Sequence, residues 1–254
     1  MTSMNSFENK SFLSRIRGGD FAHPGEEEAI DLVLSYIKPK LHETVLDAGC
    51  GLGATADTIG KKTGAIVVGV DLDADAMAYA NARYQDAQFI PGDIAQLGDL
   101  ALPKVGVIYA FNSLYACRDL EACFDAFTKV TTPDARIAVF DYIAYDAALL
   151  AQAHCLPPSV HTMTEMRQAP AAQGWRCARI VNLDVEYQAW YGRFLVRMDE
   201  NREALAAARS AEFFDEVREK YADMRSCLEH GVLGAALHTY ARADWSAVWG
   251  YTEQ

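Results

Sequence analysis

The sequence contains no basic block, no long apolar run and no paired metal-ligand motif, and each absence excludes a class of function. The formal net charge is −12, and because no local cluster of Lys and Arg offsets it, DNA or RNA would be repelled over most of the surface. No segment approaches the roughly 18 apolar residues of a membrane span, and the N-terminus lacks a signal-peptide pattern. We therefore expect a soluble, cytoplasmic protein that binds a small molecule, and its oligomeric state stays open.

Cysteine and histidine are too scattered to form a recognisable site. The six cysteines show neither CxxC spacing nor the density of a disulfide scaffold, and the six histidines form no HxxxH or HExxH pattern. We predict reduced, mostly buried thiols and no metal site. The 254 residues, 51% of them hydrophobic, suffice for one globular domain with an elaboration.

Short β-branched runs alternate with helical patterns between residues 44 and 142. The runs are TVLDAG, AIVVGVD, QFIPGD, VGVIYAFN and RIAVFDYI. Strands that are buried on both faces have continuous Val and Ile runs, and crossover helices between them force a parallel sheet. We predict an α/β fold with a doubly wound, seven-stranded, mostly parallel sheet, whose last two strands are RCARIVNLDVEY and ALHTYARAD.

The segments around this alternation predict two additions to the sheet. Residues 1–24 are expected to form an N-terminal helical lid, and HPGEEEAIDLVLSYI is expected to form a helix with Pro24 in its first turn. Residues 187–230 have the length of two helices and are predicted as a cap inserted between strands six and seven. Residues 25–186 and 231–254 then form the α/β domain.

The segment VLDAGCGLGATA, residues 45–56, places Gly49, Gly51 and Gly53 directly after a predicted strand. In an open α/β sheet, ligands bind at the carboxyl ends of the strands, and a glycine-rich first turn lets the backbone touch the ligand at a helix N-terminus. A tight turn without a ligand is the alternative, although one glycine usually suffices for a turn. We interpret the segment as a ligand-binding loop.

Three aspartates near strand ends bear on which ligand binds. A dinucleotide is an alternative, because the loop fits a G-x-G-x-x-G/A pattern and Asp71 ends the second strand. Asp47 would repel a pyrophosphate, however, and would attract a cationic amino group or a sulfonium. Asp93, after the third strand, can accept a hydrogen bond from an adenine amino group.

These segments resemble, in order and spacing over about residues 40–142, the motifs of class I S-adenosylmethionine-dependent methyltransferases. VLDAGCGLG is similar to their first motif, VVGVDLD to their acidic loop, FIPGDI to their adenine loop and VGVIYAFNSLYACRD to their fourth-strand motif. The resemblance implies S-adenosyl-L-methionine as cofactor, with Asp71 accepting both ribose hydroxyls. The residues expected to bind it are Arg17, Asp47, Gly49, Cys50, Gly51, Gly53, Asp71, Leu72, Asp93, Ile94, Phe111 and Asn112. Gly106, where relatives usually have Asp, departs from the pattern.

The flanking segments resemble small-molecule N-methyltransferases of the sarcosine and phosphoethanolamine type and tocopherol-type C-methyltransferases. This resemblance implies transfer of a methyl group to a small-molecule acceptor by in-line displacement, with an N or O nucleophile favoured. C-methylation or cyclopropanation of a lipid chain is an alternative that would need a long apolar tunnel. Two further alternatives are a non-catalytic S-adenosylmethionine-binding protein and a nicotinamide-dependent oxidoreductase.

The candidate catalytic and acceptor-binding residues lie on the segments that flank the sheet. Tyr115 stands where relatives commonly have histidine after strand four, while His161, His23 and His154 lie in segments that can reach the cleft. We select Tyr115, His161 and His23 as catalytic candidates. The candidates for acceptor binding are Tyr115, Trp190, Tyr191 and Arg193, although packing and solvated surface charge are the alternatives for the last three.

Overall fold

The computed structural model describes residues 5–153, 156 and 159–242, and its centre is a seven-stranded sheet. The strands are β1 (Thr44–Ala48), β2 (Ile66–Asp71), β3 (Ala87–Pro91), β4 (Val105–Phe111), β5 (Thr131–Ala144), β6 (Trp175–Asn182) and β7 (Leu233–Arg242). Their order is β3-β2-β1-β4-β5-β7-β6. Pairs among β1 to β5 are parallel, and β7 is antiparallel to both of its neighbours. The predicted mostly parallel, doubly wound sheet is confirmed.

Helices cover both faces of the sheet and extend beyond its carboxyl edge. They are α1 (Phe7–Arg17), α2 (Glu26–Tyr36), α3 (Ala54–Thr63), α4 (Ala74–Arg83), α5 (Leu120–Val130), α6 (Ala147–Ala153), α7 (Glu165–Ala172), α8 (Asp184–Glu200), α9 (Arg202–Ala208) and α10 (Ala211–Glu229). Aspartate side chains begin two of them: Asp73 accepts backbone N–H groups of α4, and Asp119 accepts one of α5. No described helix is long and apolar enough to cross a membrane.

The apolar core forms two clusters, one on each face of the sheet. Alternate residues of a strand point to opposite faces, so Val45 joins the first cluster and Leu46 the second. The first cluster also includes Phe12 of α1, Ile30 of α2 and Phe214 of α10. The N-terminal helices and the insertion between β6 and β7 therefore share one core with the sheet.

The insertion differs from the sequence prediction in two respects. The sixth strand ends at Asn182, and α8 begins at Asp184, because the Asp184 carboxylate accepts the Ala235 backbone N–H of β7 at 2.8 Å instead of continuing the strand. The insertion also contains three helices rather than two, since α10 has its own start at Ser210, whose hydroxyl accepts the Phe213 N–H. Helix α2 begins at Glu26, so Pro24 precedes it.

Candidate functional site

A cavity of about 760 Å³ lies at the carboxyl ends of the central strands. Pockets for small molecules are commonly about 300–1,000 Å³. One side of the lining, which we call the glycine-loop half, comes from the loops after β1, β2 and β3 and includes Gly49, Gly51, Asp71, Leu72, Asp93 and Ile94. The opposite side, the tyrosine half, comes from α1, α10 and the ends of β4 and β5 and includes Arg17, Tyr115, Tyr142, Lys220, Tyr221 and Met224.

The three glycines of the loop have positive φ angles of 82°, 58° and 95° at Gly49, Gly51 and Gly53, which non-glycine residues rarely adopt. A Cβ at Gly49 would overlap the Ser113 side chain, and one at Gly53 would lie 2.9 Å from Phe89. Packing within the protein thus requires these two glycines, a reason that the ligand-contact interpretation of the sequence missed.

Gly51 differs from the other two glycines because it has a single close neighbour. A Cβ there would lie 3.0 Å from Ala22 Cβ, and both residues line the cavity. Its backbone N–H donates to Asp71 Oδ2 at 2.9 Å. The loop is therefore held open toward the cavity at Gly51.

The Asp71 carboxylate at the end of β2 is fixed by three donors. Besides the Gly51 N–H, its Oδ1 accepts the Asp73 N–H at 3.0 Å and the Lys10 ammonium at 2.8 Å. The Lys10 and Asp71 side chains are only 10% and 12% exposed. The ion pair consequently joins α1 to the edge of the glycine-loop half.

The loop after β3 supplies the remaining residues of the glycine-loop half. Asp93 accepts the Ala95 N–H at 2.9 Å and starts a short 3₁₀ turn, while Ile94 is buried beside it. Leu72, after β2, is 72% exposed although it lines the cavity. An apolar side chain held open at the rim provides a surface for a planar or apolar ligand group.

Asp47 lies buried beneath the loop, outside the cavity lining. Its Oδ2 has no hydrogen-bond partner among the described residues. Burial, with a smaller contribution from the charge of Asp71, raises the pKa of Asp47 to about 7. The predicted ligand residues Cys50, Gly53 and Phe111 also lie behind the lining, whereas Arg17 and Asn112 belong to it.

The ends of β4 and β5 meet at Asp141, which sequence reasoning missed. Its carboxylate accepts the backbone N–H groups of Tyr115 at 3.1 Å and of Tyr142 at 2.8 Å. Burial raises the pKa of Asp141 to about 7, and these hydrogen bonds oppose that rise. Asn112 (φ 46°) accepts the Tyr187 hydroxyl, which anchors α8 over the strand end. Asp141 thus fixes the backbone positions of Tyr115 and Tyr142.

A cluster of tyrosines forms the wall opposite the glycine loop. Tyr115, Tyr142 and Tyr221 line the cavity, and the Tyr142 hydroxyl is hydrogen-bonded to the hydroxyl of Tyr191, which lies behind the lining. The Tyr115 hydroxyl donates to Asn5 Oδ1 at 3.2 Å. Of the three lining tyrosines, only Tyr115 could be identified from the sequence, because it directly follows a predicted strand.

Trp190 and Arg193, both predicted to bind the acceptor, lie on α8 outside the lining. Trp190 is 3% exposed and packs against Phe140, with ring centroids 5.8 Å apart. Arg193 forms an exposed ion pair with Glu28 at 2.6 Å, which ties α8 to α2. Tyr115 is the one predicted acceptor residue that contacts the described cavity.

The histidine candidates contact backbone and core rather than the cavity. His23 Nδ1 lies 3.1 Å from the Pro24 carbonyl and Nε2 lies 3.1 Å from Thr55 Oγ1, while burial lowers its pKa to about 3. It is therefore neutral at physiological pH. His161 Nε2 donates to the Leu114 carbonyl at 3.1 Å and is buried. His154 lies outside the described residues.

Comparison with known proteins identifies the central segment. Residues 46–139 match a family model described as a methyltransferase domain. Phosphoethanolamine N-methyltransferase 1 of Zea mays is 26% identical over 131 residues, which are 50% of this chain and 26% of that protein. The chain therefore spans about a quarter of the length of this curated relative.

Solved structures with a similar fold include two enzymes named for different reactions. A cyclopropane synthase of Mycobacterium tuberculosis has a TM-score of 0.81 at 16% identity, covering 94% of this chain and 96% of that one. Phosphoethanolamine N-methyltransferase 2 of Haemonchus contortus has a TM-score of 0.83 at 13% identity, covering 94% of this chain and 58% of that one. At these identities the likeness concerns the fold. Residues 46–139 therefore match a methyltransferase domain, and the described chain has the Rossmann-like fold of methyltransferases.

Proposed function

We propose that the protein transfers a methyl group from S-adenosylmethionine to a small-molecule acceptor bound in this cavity. The observation that carries the proposal is the continuity of the cavity, which joins the glycine-loop half to the tyrosine half. The family uses S-adenosylmethionine, so the glycine-loop half is assigned to the donor. The tyrosine half is left for the acceptor.

The residues of the glycine-loop half fit such a donor. Asp71, held by two backbone N–H groups, presents a carboxylate to the ribose hydroxyls, and Asp93 and Ile94 frame a position for adenine. Gly51 lets a ligand approach the backbone, and a cationic ligand head above the loop would stabilise the ionised form of Asp47, whose Oδ2 has no described partner. These roles follow the positions of the residues at the ends of β1, β2 and β3.

The donor supplies an already activated methyl group, so the protein needs mainly to align the acceptor and exclude water. Positioning alone can raise the effective concentration of one reactant beside another to about 10⁵ M or more. Burial raises the pKa of the Tyr115 phenol well above its ordinary value, so Tyr115 stays protonated and orients the acceptor rather than removing a proton. A neutral amine, or an oxygen nucleophile of low pKa, is therefore the preferred acceptor atom.

Charged and hydroxyl groups among the apolar residues of the tyrosine half support a small acceptor over a lipid chain. Arg17 and Lys220 line it together with tyrosine hydroxyls, whereas a hydrocarbon chain would require an uninterrupted apolar surface. The structural likeness to a cyclopropane synthase extends to the fold and does not specify the acceptor. A protein that binds S-adenosylmethionine without catalysis is the second alternative.

The test is product profiling with a methyl-labelled donor. The protein is incubated with S-adenosylmethionine carrying a deuterated methyl group and a deproteinised metabolite extract, and products are resolved by mass spectrometry. We expect one or a few low-molecular-weight products that gain the label. A Gly51→Val variant serves as control, since its side chain would enter the cavity. Labelled lipids would favour the lipid alternative, and binding without any labelled product would favour the non-catalytic one.

A further inference from the structure

Lys10 of α1 occupies part of the Asp71 carboxylate to which the ribose of the donor is assigned. Its Nζ lies 2.8 Å from Asp71 Oδ1, and the two side chains are only 10% and 12% exposed. Both residues line the cavity. The ion pair therefore lies inside the proposed donor site rather than on the outer surface of the protein.

The hydrogen-bonding capacity of Asp71 is nearly used up in this arrangement. A carboxylate offers about four lone-pair positions to hydrogen-bond donors. Asp71 Oδ1 accepts the Lys10 ammonium and the Asp73 backbone N–H, and Oδ2 accepts the Gly51 backbone N–H. About one position is left, whereas a pair of ribose hydroxyls needs one for each hydroxyl. One of the described hydrogen-bond donors must therefore leave before the ribose can bind as proposed.

Lys10 is the hydrogen-bond donor that can leave. The Gly51 and Asp73 N–H groups belong to the backbone after β1 and β2, and moving them would disrupt the glycine loop and the start of α4, where Asp73 is the N-cap. Lys10, by contrast, reaches Asp71 through a flexible side chain that ends in a strongly hydrated ammonium. This ammonium can turn into the cavity that Lys10 already lines.

A separate anchor holds the other end of α1 when Lys10 is released. The buried Asp20 carboxylate, which follows α1, accepts the Tyr84 hydroxyl at 2.8 Å and the Tyr79 hydroxyl at 3.1 Å. Arg83 Nε lies 2.7 Å from the same carboxylate. These partners belong to α4 or follow it directly. Loss of the Lys10 contact thus frees the start of α1 without detaching the segment from the glycine-loop half.

We propose that Lys10 competes with the ribose of the donor for Asp71: it closes this position in the free protein and is expelled when the donor binds. The inference rests on the proposed function, because that function assigns Asp71 to the ribose. When only a fraction of the molecules can bind a ligand, the apparent dissociation constant rises by the inverse of that fraction. Lys10 therefore lowers the affinity for donor and product alike, since both carry the same ribose. The alternative is that the ammonium stays and donates to a ribose hydroxyl, which would raise the affinity.

The test measures ligand binding to the wild type, Lys10→Met and Arg15→Met by calorimetry. The ligands are S-adenosylhomocysteine, adenosine and the dideoxy analogue of adenosine, which lacks both ribose hydroxyls. We expect Lys10→Met to bind the first two at least threefold more tightly than the wild type does, and to bind the dideoxy analogue with unchanged affinity. The Tm of free Lys10→Met should fall, because Asp71 loses its cation, so tighter binding would not reflect a more stable fold. Arg15→Met changes an exposed cation of the same helix and should match the wild type throughout.

The contrary outcomes distinguish failure of this inference from failure of the proposed function. If S-adenosylhomocysteine does not bind the wild type, the proposed function fails and the inference fails with it. If it binds the wild type, and binds Lys10→Met equally or more weakly, competition by Lys10 is overturned. A loss of affinity confined to the ligands with ribose hydroxyls would make Lys10 a ribose ligand instead. An equal gain for the dideoxy analogue would also overturn the inference, because the gain would not come from the hydroxyls.

A measurement on the wild type alone decides the matter should Lys10→Met fail to fold. The protein is treated with acetic anhydride with and without saturating S-adenosylhomocysteine, and acetylation of the Lys10 amine is followed by mass spectrometry. An amine expelled from its partly buried ion pair should react at least threefold faster in the bound protein. An equal or slower rate with the ligand would show that Lys10 stays on Asp71 and would overturn the inference.

Discussion

At the scale of single residues, Asp71 is the side chain on which donor binding should depend most. Its carboxylate is already oriented by the Gly51 and Asp73 backbone N–H groups, so a ribose would meet a fixed acceptor. Replacing it with alanine should weaken S-adenosylhomocysteine binding by on the order of 3 kcal/mol, roughly a hundredfold, since two hydrogen bonds to a charged group are lost. Calorimetry measures the change. The exposed Asp75 provides the control Asp75→Ala, and equal affinities in all three proteins would contradict the assignment.

Gly51 allows a test that separates backbone strain from loss of the cavity. Valine there would adopt an unfavourable φ of 58° and project its side chain toward Ala22 and the ligand. We expect Gly51→Val to fold, as judged by circular dichroism, and to lose at least tenfold in S-adenosylhomocysteine affinity. Gly231 has a similar φ of 67°, and a Cβ there would meet nothing within 4 Å, so Gly231→Val carries the strain alone. If both variants bind like the wild type, Gly51 serves only the turn.

The buried Asp47 carboxyl should make folding stability depend on pH. Its folded pKa of about 7 exceeds its ordinary 3.8, so the folded protein holds a proton that the unfolded chain releases. This contribution is full below about pH 4 and is lost as the pH rises through about 7, by on the order of 4 kcal/mol at most. His23, whose pKa is lowered to about 3, gives the free energy of unfolding a pH dependence of the opposite sign. The total stability therefore does not reveal the contribution of Asp47.

The measurement therefore compares the free energy of unfolding of each of two variants with that of the wild type. Denaturant unfolding at several pH values between about 4 and 8 should show that Asp47→Asn gains stability relative to the wild type as the pH rises. Asp75→Asn, which changes an exposed aspartate of α4, should track the wild type throughout. Parallel curves for Asp47→Asn and the wild type would show that the buried carboxyl does not hold a proton near neutral pH.

The sequence could predict the residues at strand ends and could not predict which cap residues face the cavity. Asp71 and Asp93 occur at fixed offsets from apolar runs, and a parallel sheet brings all carboxyl ends to one edge, so their proximity follows from topology. Tyr221, by contrast, reaches the cavity because of the angle at which α10 packs. Arg193 lies on the predicted helix, but the Glu28 carboxylate on α2 binds it. No local sequence pattern predicts how α8 and α10 are oriented in the fold.

At the scale of secondary-structure elements, α1 is the part whose position should respond to the donor. Its Phe12 and Ile16 are buried in the core, and its Lys10 pairs with Asp71, the residue assigned to the ribose. A ligand that contacts Asp71 should thus also affect the position of α1 through the Lys10 ion pair. The lid over residues 1–24 stays a prediction, and the described part of that segment begins at residue 5.

Hydrogen exchange tests the lid directly. We expect residues 16–21 to gain protection when S-adenosylhomocysteine binds, because α1 and the following turn line the cavity. Lys10→Met should increase exchange along α1 in the free protein, since a largely buried ion pair is lost, while the exposed Arg15→Met should not. Equal exchange with and without ligand would show that this segment is a fixed wall rather than a lid.

The helices and strands also show where hydrophobic periodicity fails to predict the secondary structure. The five parallel strands and their crossover helices are confirmed, because continuous Val and Ile runs leave little choice. The predicted end of β6 is wrong, since the alternation in RCARIVNLDVEY continues past Asn182 while the Asp184 carboxylate binds β7 and starts α8. The short α6 was not predicted, and α9 was not separated from the neighbouring helices of the predicted cap, because each has only seven residues, too few to show a helical period.

At the scale of the whole molecule, one apolar cluster joins the N-terminal helices, the sheet and the insertion. Phe12 of α1, Val45 of β1 and Phe214 of α10 all belong to it. Charged pairs reinforce the same connection, since Arg197 of α8 contacts Glu26 of α2 at 2.7 Å. Because the cap and the sheet share a core rather than an exposed interface, they should unfold together.

This shared core predicts how S-adenosylhomocysteine, the product formed from the donor, stabilises the protein. A ligand that binds only the folded state at about a hundred times its dissociation constant adds about 2.7 kcal/mol, and for a chain of this size that corresponds to a rise in Tm of roughly 5–10 °C. Scanning calorimetry should show one transition, which S-adenosylhomocysteine shifts as a whole, and Asp71→Ala should show a much smaller shift at the same ligand concentration. Two transitions, of which the ligand moves only one, would mean that the insertion unfolds separately, and the cavity would then be shared between two independently stable parts.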